Sequence, residues 1–392
     1  MAFKDRLQVW REDFETFLLD VIFERRKGKR ARLLRVFLTV LSKVFAAAVQ
    51  LRLWFYESRI LRNRTLGCLV VSVGNLTVGG TGKTPVVEKF ARALAQRGRR
   101  VAILSRGYKS AKRPLLERIV AKITGLESRI PPRIVSDGKS LLLDSHQAGD
   151  EPYMLASDLK DVIVLVDKDR VKAGKYAIEK FNADTLLLDD GFQYLHLKSR
   201  LNLVLVDRTN PWGTGHMLPR GTLREPIRNL RRATYVFVTK CDGSDITPLR
   251  EQIRSLNPKA DIIECSHHPL YLQDVFTGER KSLDVLKGLD IAALSGIAAP
   301  DGFEESLVKL GAKIVHASRF ADHHRYSQQE IINVINDSHK HGAKAIITTE
   351  KDAVRFPFVE RRDVPIYYMR VEIEILRGAK DFDDAVNRIC FT

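Results

Sequence analysis

The stretch VGGTGKTP, residues 78–85, decides the fold. Three glycines followed by Lys-Thr make a turn whose backbone can lie against phosphate oxygens, because few side chains hold a ligand away. Upstream, LGCLVVSVGN (66–75) is a continuous apolar run that predicts a buried strand. Downstream, TPVVEKFARALAQRG (84–98) has amphipathic helical spacing and a Gly stop. Strand, Gly-rich turn and helix together predict a P-loop. Backbone N–H groups of Gly79, Gly80, Thr81 and Gly82 converge on phosphate oxygens, and the helix N-terminus adds favourable partial charge. Lys83 reaches the β- and γ-phosphates, the Thr84 hydroxyl ligates Mg²⁺, and Pro85 suits the first helical turn. The usual pattern G-x-x-x-x-G-K-[ST] has Gly where this chain has Thr77, so the loop is a variant compensated by Gly79-Gly80. The predicted nucleotide-binding stretch is Thr77, Val78, Gly79, Gly80, Thr81, Gly82, Lys83 and Thr84.

The pattern continues on both sides. RVAILSRGY (100–108), DVIVLVDKD (161–169), ADTLLLDDGFQ (183–193) and RLNLVLVD (200–207) read as strands, with helices at EPYMLASDL (151–159) and AGKYAIEKFN (173–182). Strands alternating with helices predict an α/β fold, a parallel sheet covered on both faces. Residues 208–232, rich in Pro, Gly and basic residues, read as a long functional loop. TYVFVTKCD (234–242) resumes a strand. GLDIAALSGIA, GAKIVHASRF, AKAIITTEKDA and VPIYYMRVEIEI predict a second, smaller α/β lobe. The expected division is a basic amphipathic membrane-associating segment over 1–64, a P-loop core over 65–240, and a C-terminal α/β lobe completing the cleft over 241–392.

Within TLLLDDGFQ, a buried strand ending in acids places Asp189 and Asp190 at the carboxyl edge of the sheet beside the P-loop. Either can hold Mg²⁺, directly or through water; the alternative is an ordinary Asp-Gly turn.

With 392 residues, 44% of them hydrophobic, the chain can bury a large core, and a 29% charged fraction so mixed with apolar residues excludes general disorder. A net charge of +17 calls for a polyanionic partner: nucleic acid, an anionic membrane or a phosphorylated substrate. No nucleic-acid recognition motif or aromatic stripe supports the first. Residues 1–64 hold 15 Lys and Arg against seven Asp and Glu, with much of the excess in ERRKGKRARLLR (24–35). Residues 33–51, LLRVFLTVLSKVFAAAVQL, are long enough to span a bilayer, but Lys43 near the middle costs about 2.5–3.5 kcal/mol there. Arg32, Arg35, Thr39, Ser42, Lys43 and Gln50 fall in one narrow helical arc, which predicts a helix lying in the membrane interface. A core helix with a thin polar stripe is the alternative. MAFKDRLQVWREDFETF lacks the apolar region of an export signal. The four cysteines, Cys68, Cys241, Cys265 and Cys390, show no C-x-x-C spacing and suit a reducing compartment.

Several further motifs carry a resemblance. VSVGNLTVGGTGKTP, SRGY (105–108), AGDEP (148–152), DKDR (167–170), LLDDGFQYLHL (187–197), LPRGTLREP (218–226), FADHH (320–324) and TTEKDAVRF (348–356) occur in the order seen in the tetraacyldisaccharide 4′-kinase family, the lipid A 4′-kinases. The chain resembles that family from about residue 30 nearly to its C-terminus. The resemblance implies transfer of the γ-phosphoryl of ATP, with Mg²⁺, to the 4′-hydroxyl of a tetraacylated glucosamine disaccharide 1-phosphate. It implies a site at the anionic cytoplasmic face of the bacterial inner membrane, with the lipid disaccharide as partner and no nucleic acid. It also implies a catalytic pair, Asp150 and His323, against the bland alternatives of a helix cap and a surface histidine. Gln193, Arg224 and Glu225 become substrate-binding or supporting residues; Arg224 touches a phosphate or forms a loop ion pair. Where the family commonly reads L-P-A-G, this chain has Leu218-Pro219-Arg220-Gly221.

Two rivals compete. TKCD (239–242) after a strand suggests a guanine-reading turn, hence a P-loop GTPase or metallochaperone. DHH (322–324) also occurs in metal-dependent phosphoesterases, but no accompanying acidic metal cluster is present in the sequence.

Overall fold

The computed structural model describes residues 17–108, 110, 130–361 and 363–390; residues 1–16, which bear on the expected lack of an export signal, lie outside them. The first half runs α1 (Lys29–Glu57), β1 (Leu69–Asn75), α2 (Lys83–Gln96), β2 (Val101–Ser105), β3 (Arg133–Asp137), α3 (Asp150–Asp158), β4 (Ile163–Val166), α4 (Arg170–Phe181), β5 (Thr185–Asp189), β6 (Leu201–Asp207) and β7 (Tyr235–Thr239). α5 (Thr247–Leu256) and β8 (Asp261–Asp274) lead to the second lobe. That lobe holds β9 (Arg280–Lys281), β10 (Asp290–Ser295), α6 (Pro300–Lys309), β11 (Lys313–Arg319), α7 (Gln328–Lys340), β12 (Ala345–Thr349) and β13 (Ile366–Arg377), and α8 (Ala379–Cys390) follows it.

The thirteen strands among the described residues belong to one sheet, ordered β11-β10-β12-β13-β8-β7-β6-β1-β5-β2-β4-β3, with β9 on β8. Each lobe is mainly parallel, as the alternating pattern predicts. β3 on β4, β9 on β8 and β13 on β8 are antiparallel. β8 pairs with β7 over Asp261–Glu264, and β13 pairs with β12 over Ile366–Met369. Between those segments the two long strands pair chiefly with each other, so a two-stranded ribbon joins the lobes.

Because strand side chains alternate between faces, each strand of the first lobe feeds two cores. Val71, Val73, Ile103, Val164, Leu187 and Leu203 pack under Val86, Val87, Phe90 and Leu94 of α2. Val70, Ala102, Leu104, Leu165, Leu186 and Leu188 pack under Val171, Ala173 and Ala177 of α4. Each Val, Leu, Ile or Phe among them contributes about 1.5–3 kcal/mol relative to exposure. After β13 the chain returns: Phe382, Ala385, Val386 and Ile389 of α8 join the α2 face, and Phe382 meets Phe90 edge-on at 5.8 Å.

α1 inverts the usual amphipathic arrangement. Its polar side meets the protein: Ser42 donates to the Met217 carbonyl (3.0 Å), Gln50 to Asn229 (3.1 Å) and Arg52 to the Gln193 carbonyl (3.0 Å). Its apolar side faces outward, with Leu33, Val36, Phe37, Val40, Val44 and Trp54 exposed. By length and composition it is the one helix among the described residues apolar enough to cross a membrane, and little of it is buried, so it is not a core helix.

Candidate active site

Parallel α/β sheets place ligands beyond the carboxyl ends of their strands, near a strand whose neighbours connect in opposite directions. Here that strand is β1, flanked by β5 and β6. The glycine turn follows it and α2 begins at Lys83, after Gly82 with φ 75°. A β-carbon on Gly82 would stand 2.7 Å from His267 Nε2, so both conformation and space require glycine there. Burial pushes His267 down to about 4, leaving a neutral ring beneath the turn. Gly79 and Gly80 face open space. The turn is braced from below: Asn75 Nδ2 donates to Thr81 Oγ1 (3.0 Å) and Thr239 Oγ1 to the Thr81 carbonyl (2.9 Å). Thr77 is buried and bridges to Leu223, and the Val78 N–H donates to the Thr222 carbonyl, so both are committed to the 208–232 loop.

β5 ends beside the turn, with Asp189 opposite Val73 of β1. Its neighbour Asp190 is held from two sides. Lys83 Nζ lies 3.0 Å from Oδ1, while Arg224 donates to Oδ1 (2.7 Å) and Oδ2 (3.0 Å). Burial would raise this carboxyl, but the two cations outweigh it and keep Asp190 far below the usual carboxylate range. Arg224 is therefore in an ion pair here. Asp189 differs. Ser105 donates to Oδ2 (2.9 Å), whereas Oδ1 is buried without a partner. Burial pushes this carboxyl up, the Glu151 charge adds to the effect, and Lys83 opposes it.

The remaining residues of LPRGTLREP support the scaffold. Glu225 accepts from Arg232 through both oxygens (2.8 and 2.6 Å) and from Asn229 (2.8 Å), and the Arg232 guanidinium stacks 4.0 Å from the Phe192 ring centroid. Gln193 donates to the Asn75 carbonyl (2.9 Å). Arg220 is buried and donates to Glu24 and to the Ile22 carbonyl. A cavity of about 260 Å³ between α1 and this loop is lined by Phe45, Val49, Leu53, Gln193, Arg224 and Glu225, among others.

Asp150 and His323, 173 residues apart, meet where the lobes face each other. His323 Nδ1 is 3.0 Å from Asp150 Oδ2. Asp150 is the first residue of α3 and forms no cap with its side chain; Asp144 caps the preceding turn. Arg355 Nε donates to the same Oδ2 (2.8 Å) and Arg325 Nη2 to Oδ1 (3.3 Å). Burial pushes Asp150 up, but the His323 hydrogen bond and the Arg355 charge outweigh it and lower the carboxyl. His323 itself has φ 62° and donates its N–H to the Gly296 carbonyl (3.2 Å).

Sequence reasoning gave no role to Asn75, Ser105, Arg325, Lys351 or Arg355. Four of them lie within the motifs quoted above and Arg325 directly follows one, so their positions were visible but their contacts were not. Of the rival readings, the TKCD turn has its Asp242 occupied by Arg208 (2.6 Å) and Ser244. Among the described residues no group of three or more His, Cys, Asp or Glu side chains forms a metal cluster.

Residues 34–390 match the family model of LpxK, tetraacyldisaccharide-1-P 4′-kinase. A tetraacyldisaccharide 4′-kinase of Anaeromyxobacter sp. (strain K) is 40% identical over 375 residues, covering 94% of each chain. One of Syntrophus aciditrophicus is 37% identical over 358 residues, 89% of this chain and 91% of the relative. The crystal structure of LpxK from Aquifex aeolicus in complex with ATP superposes with a TM-score of 0.70 at 28% identity, covering 91% of this chain and all of that one. The chain belongs to the tetraacyldisaccharide-1-P 4′-kinase family.

Proposed function

We propose that this protein transfers the γ-phosphoryl group of ATP to the 4′-hydroxyl of a tetraacylated glucosamine disaccharide 1-phosphate. Family membership over nearly the whole chain carries this reading. A P-loop GTPase is not favoured, since Asp242, the carboxylate of the TKCD turn, is held by Arg208.

The geometry supports a role for each residue. The turn of Gly79, Gly80, Thr81 and Gly82 offers backbone N–H groups to the phosphates, and Lys83 moves from Asp190 toward the β- and γ-oxygens when ATP enters. The buried, unpartnered Asp189 Oδ1 and the Thr84 hydroxyl at the start of α2 suit a divalent cation. Mg²⁺ held there with ATP would neutralise charge on the transferring group. Asp190, still held through both oxygens by Arg224, would support that site without touching the cation. Asp150 orients the acceptor hydroxyl and takes its proton through Oδ1, the oxygen not committed to His323 and Arg355. A carboxylate held this low is a weak base. That suffices where proton transfer is late in a loose transition state. Gln193, Arg224 and Glu225 support the wall between this site and the cavity beside α1.

α1 and the basic residues before it support peripheral attachment to an anionic membrane on the cytoplasmic side, with the helix lying in the interface. Each surface Lys or Arg adds about 1 kcal/mol of attraction to such a surface. We assign residues 1–64 to that attachment, 65–240 to nucleotide chemistry and 241–392 to completing the cleft. The excess positive charge is assigned to lipid and membrane, not nucleic acid. The test is incubation with radiolabelled ATP and tetraacyl disaccharide 1-phosphate in detergent, followed by lipid extraction. Label in the lipid phase is expected; none would reject the reading.

A further inference from the structure

The second lobe surrounds the Asp150–His323 pair with cations that the transfer reaction does not itself call for. We infer that Lys351 and Arg355 are positioning residues of this site: they fix which nitrogen of His323 carries the proton and which oxygen of Asp150 meets the acceptor hydroxyl. This rests on reading Asp150 and His323 as the reacting pair.

A neutral imidazole has one donor nitrogen and one acceptor nitrogen, and its partners decide which is which. His323 Nδ1 is 3.0 Å from a carboxylate oxygen, which can only accept. His323 Nε2 is 3.2 Å from Lys351 Nζ, an ammonium that can only donate. Both contacts are satisfied by one tautomer, with the proton on Nδ1 and the lone pair on Nε2. Lys351 also approaches Asp322 (3.6 Å) and Glu151 (3.9 Å), but its shortest contact is to the ring. The helical turn Glu350–Ala353 carries it there directly after β12.

Arg355 does the corresponding work on the carboxylate. Its side chain is fully buried, and its fork is held at three points: Asp150 Oδ2 (2.8 Å), Asp352 Oδ1 (3.1 Å) and the Gly296 carbonyl (3.2 Å). Asp352 is in turn fixed by Tyr326 (3.0 Å) and Thr349 (2.6 Å). A planar guanidinium so restrained cannot rotate, and lysine would not reproduce its geometry. Asp150 Oδ2 is thus occupied from two sides, while Oδ1 carries only Arg325 at 3.3 Å, a side chain about one-third exposed and displaceable. The oxygen left for substrate is Oδ1. Because Arg355 belongs to the second lobe and Asp150 to the first, the pair is aligned only when the lobes are docked.

The charged and titratable groups around His323 are Asp150 and its partner Arg325, Asp322 on its own loop, Lys351 and Arg355 after β12, and Tyr108 after β2, whose ring lies 5.5 Å away. Removing the ammonium from Nε2 lets the ring take a second proton more readily. An imidazolium on Oδ2 makes Asp150 a poorer base.

The experiment measures kcat and kcat/KM against pH for the full chain, Lys351→Met, Lys351→Arg and Arg355→Lys, with Asp150→Asn as reference. ATP affinity and melting temperature are followed in each. Lys351→Met should lower kcat by roughly 10²-fold, the scale of a misplaced catalytic group, with ATP affinity unchanged. Its acidic limb should move to higher pH. Lys351→Arg should restore the limb and part of kcat. Arg355→Lys, which keeps a buried cation, should lose kcat to a similar extent with the limb unmoved. If Asp150→Asn is inactive but Lys351→Met has the wild-type kcat or pH profile, the positioning roles are overturned and the catalytic pair stands. If Asp150→Asn is nearly fully active, the underlying reading fails instead.

Discussion

Lys83 Nζ lies 3.0 Å from Asp190 Oδ1, so one ion pair ties the phosphate loop to the end of β5. Arg224 holds both oxygens of the same carboxylate, and the two cations keep it ionised. On the proposed nucleotide reading, Asp190 stores the lysine for the arriving phosphates. Lys83→Ala removes the mobile charge and leaves Asp190 paired with Arg224, so the fold survives. Turnover should fall by at least ~10²-fold, the cost of losing one preorganised electrostatic contact. Thr84→Ala should raise the Mg²⁺ concentration needed for half-maximal rate. Near-normal turnover of Lys83→Ala in the lipid assay would reject the nucleotide site.

The outward face of α1 gives a second prediction. Val40 and Val44 are 57% and 62% exposed, on the side opposite Ser42 and Gln50. Intact protein should sediment with vesicles containing anionic phospholipid at low salt, and less so as salt screens charge over about 8–10 Å. Val40→Asp with Val44→Asp should reduce sedimentation while ATP binding is unchanged. Intact protein remaining in the supernatant at low salt would remove the interfacial assignment.

A buried charge cluster where the lobes join predicts pH-dependent stability. Arg370 of β13 donates to Asp158 (2.7 Å), to Glu350 (2.7 Å) and to Glu88. Three acids share one buried guanidinium, with Arg92 on Glu88 at the margin. Burial pushes both Glu350 and Asp158 up, the Asp158 and Glu88 charges raise Glu350 further against the pull of Arg370, and Glu350 reaches about 8. A carboxyl whose native pKa is raised binds more protons folded than unfolded. Its contribution is complete below the unfolded value and is lost as pH rises through the native one. Between about pH 5 and 8 this group should lower the melting temperature as pH rises. Glu350→Gln keeps the neutral form at all pH and should flatten that decline. Calorimetry at pH 5.5, 7 and 8.5 on both proteins checks it; parallel curves would show that Glu350 is not the source.

How far the sequence reached depends on the range of the interaction. The P-loop was legible because strand, turn and helix are contiguous and each obeys a local rule. Asp189 and Asp190 were legible because a buried strand ending in acids has few destinations. The difference between those two acids was not, since it depends on Lys83 and Arg224 arriving from 107 and 34 residues away. The thin polar arc of α1 was visible, but not that it would dock inward and leave the apolar face out, because both orientations share one periodicity. β8 and β13 were the hardest to read. Their ribbon joins two parallel half-sheets into one, and antiparallel pairing across about a hundred residues leaves no local mark. Arg355 stood inside TTEKDAVRF, yet only the folded chain brings it to Asp150.

The 3.0 Å contact between His323 and Asp150 yields the sharpest prediction. If the two act as one unit on the acceptor hydroxyl, each single substitution should lower kcat by at least ~10²-fold with little change in ATP affinity. Asp150→Asn keeps the shape and a hydrogen-bonding carbonyl but loses the charge that accepts the proton and offsets Arg325 and Arg355. His323→Ala leaves the carboxylate held by Arg355 but no longer aligned by the ring. Once either is gone the other has little left to contribute. The double mutant should therefore be scarcely slower than the slower single mutant, since residues of one catalytic unit are strongly non-additive. Independent structural roles would behave otherwise: each loss would multiply, and Asp150→Asn, still able to begin α3, would keep most of its activity. The measurement is a double-mutant cycle on turnover at saturating lipid, with ATP binding determined separately. Multiplicative losses, or a nearly active Asp150→Asn, would reduce this contact to a structural tie between the lobes.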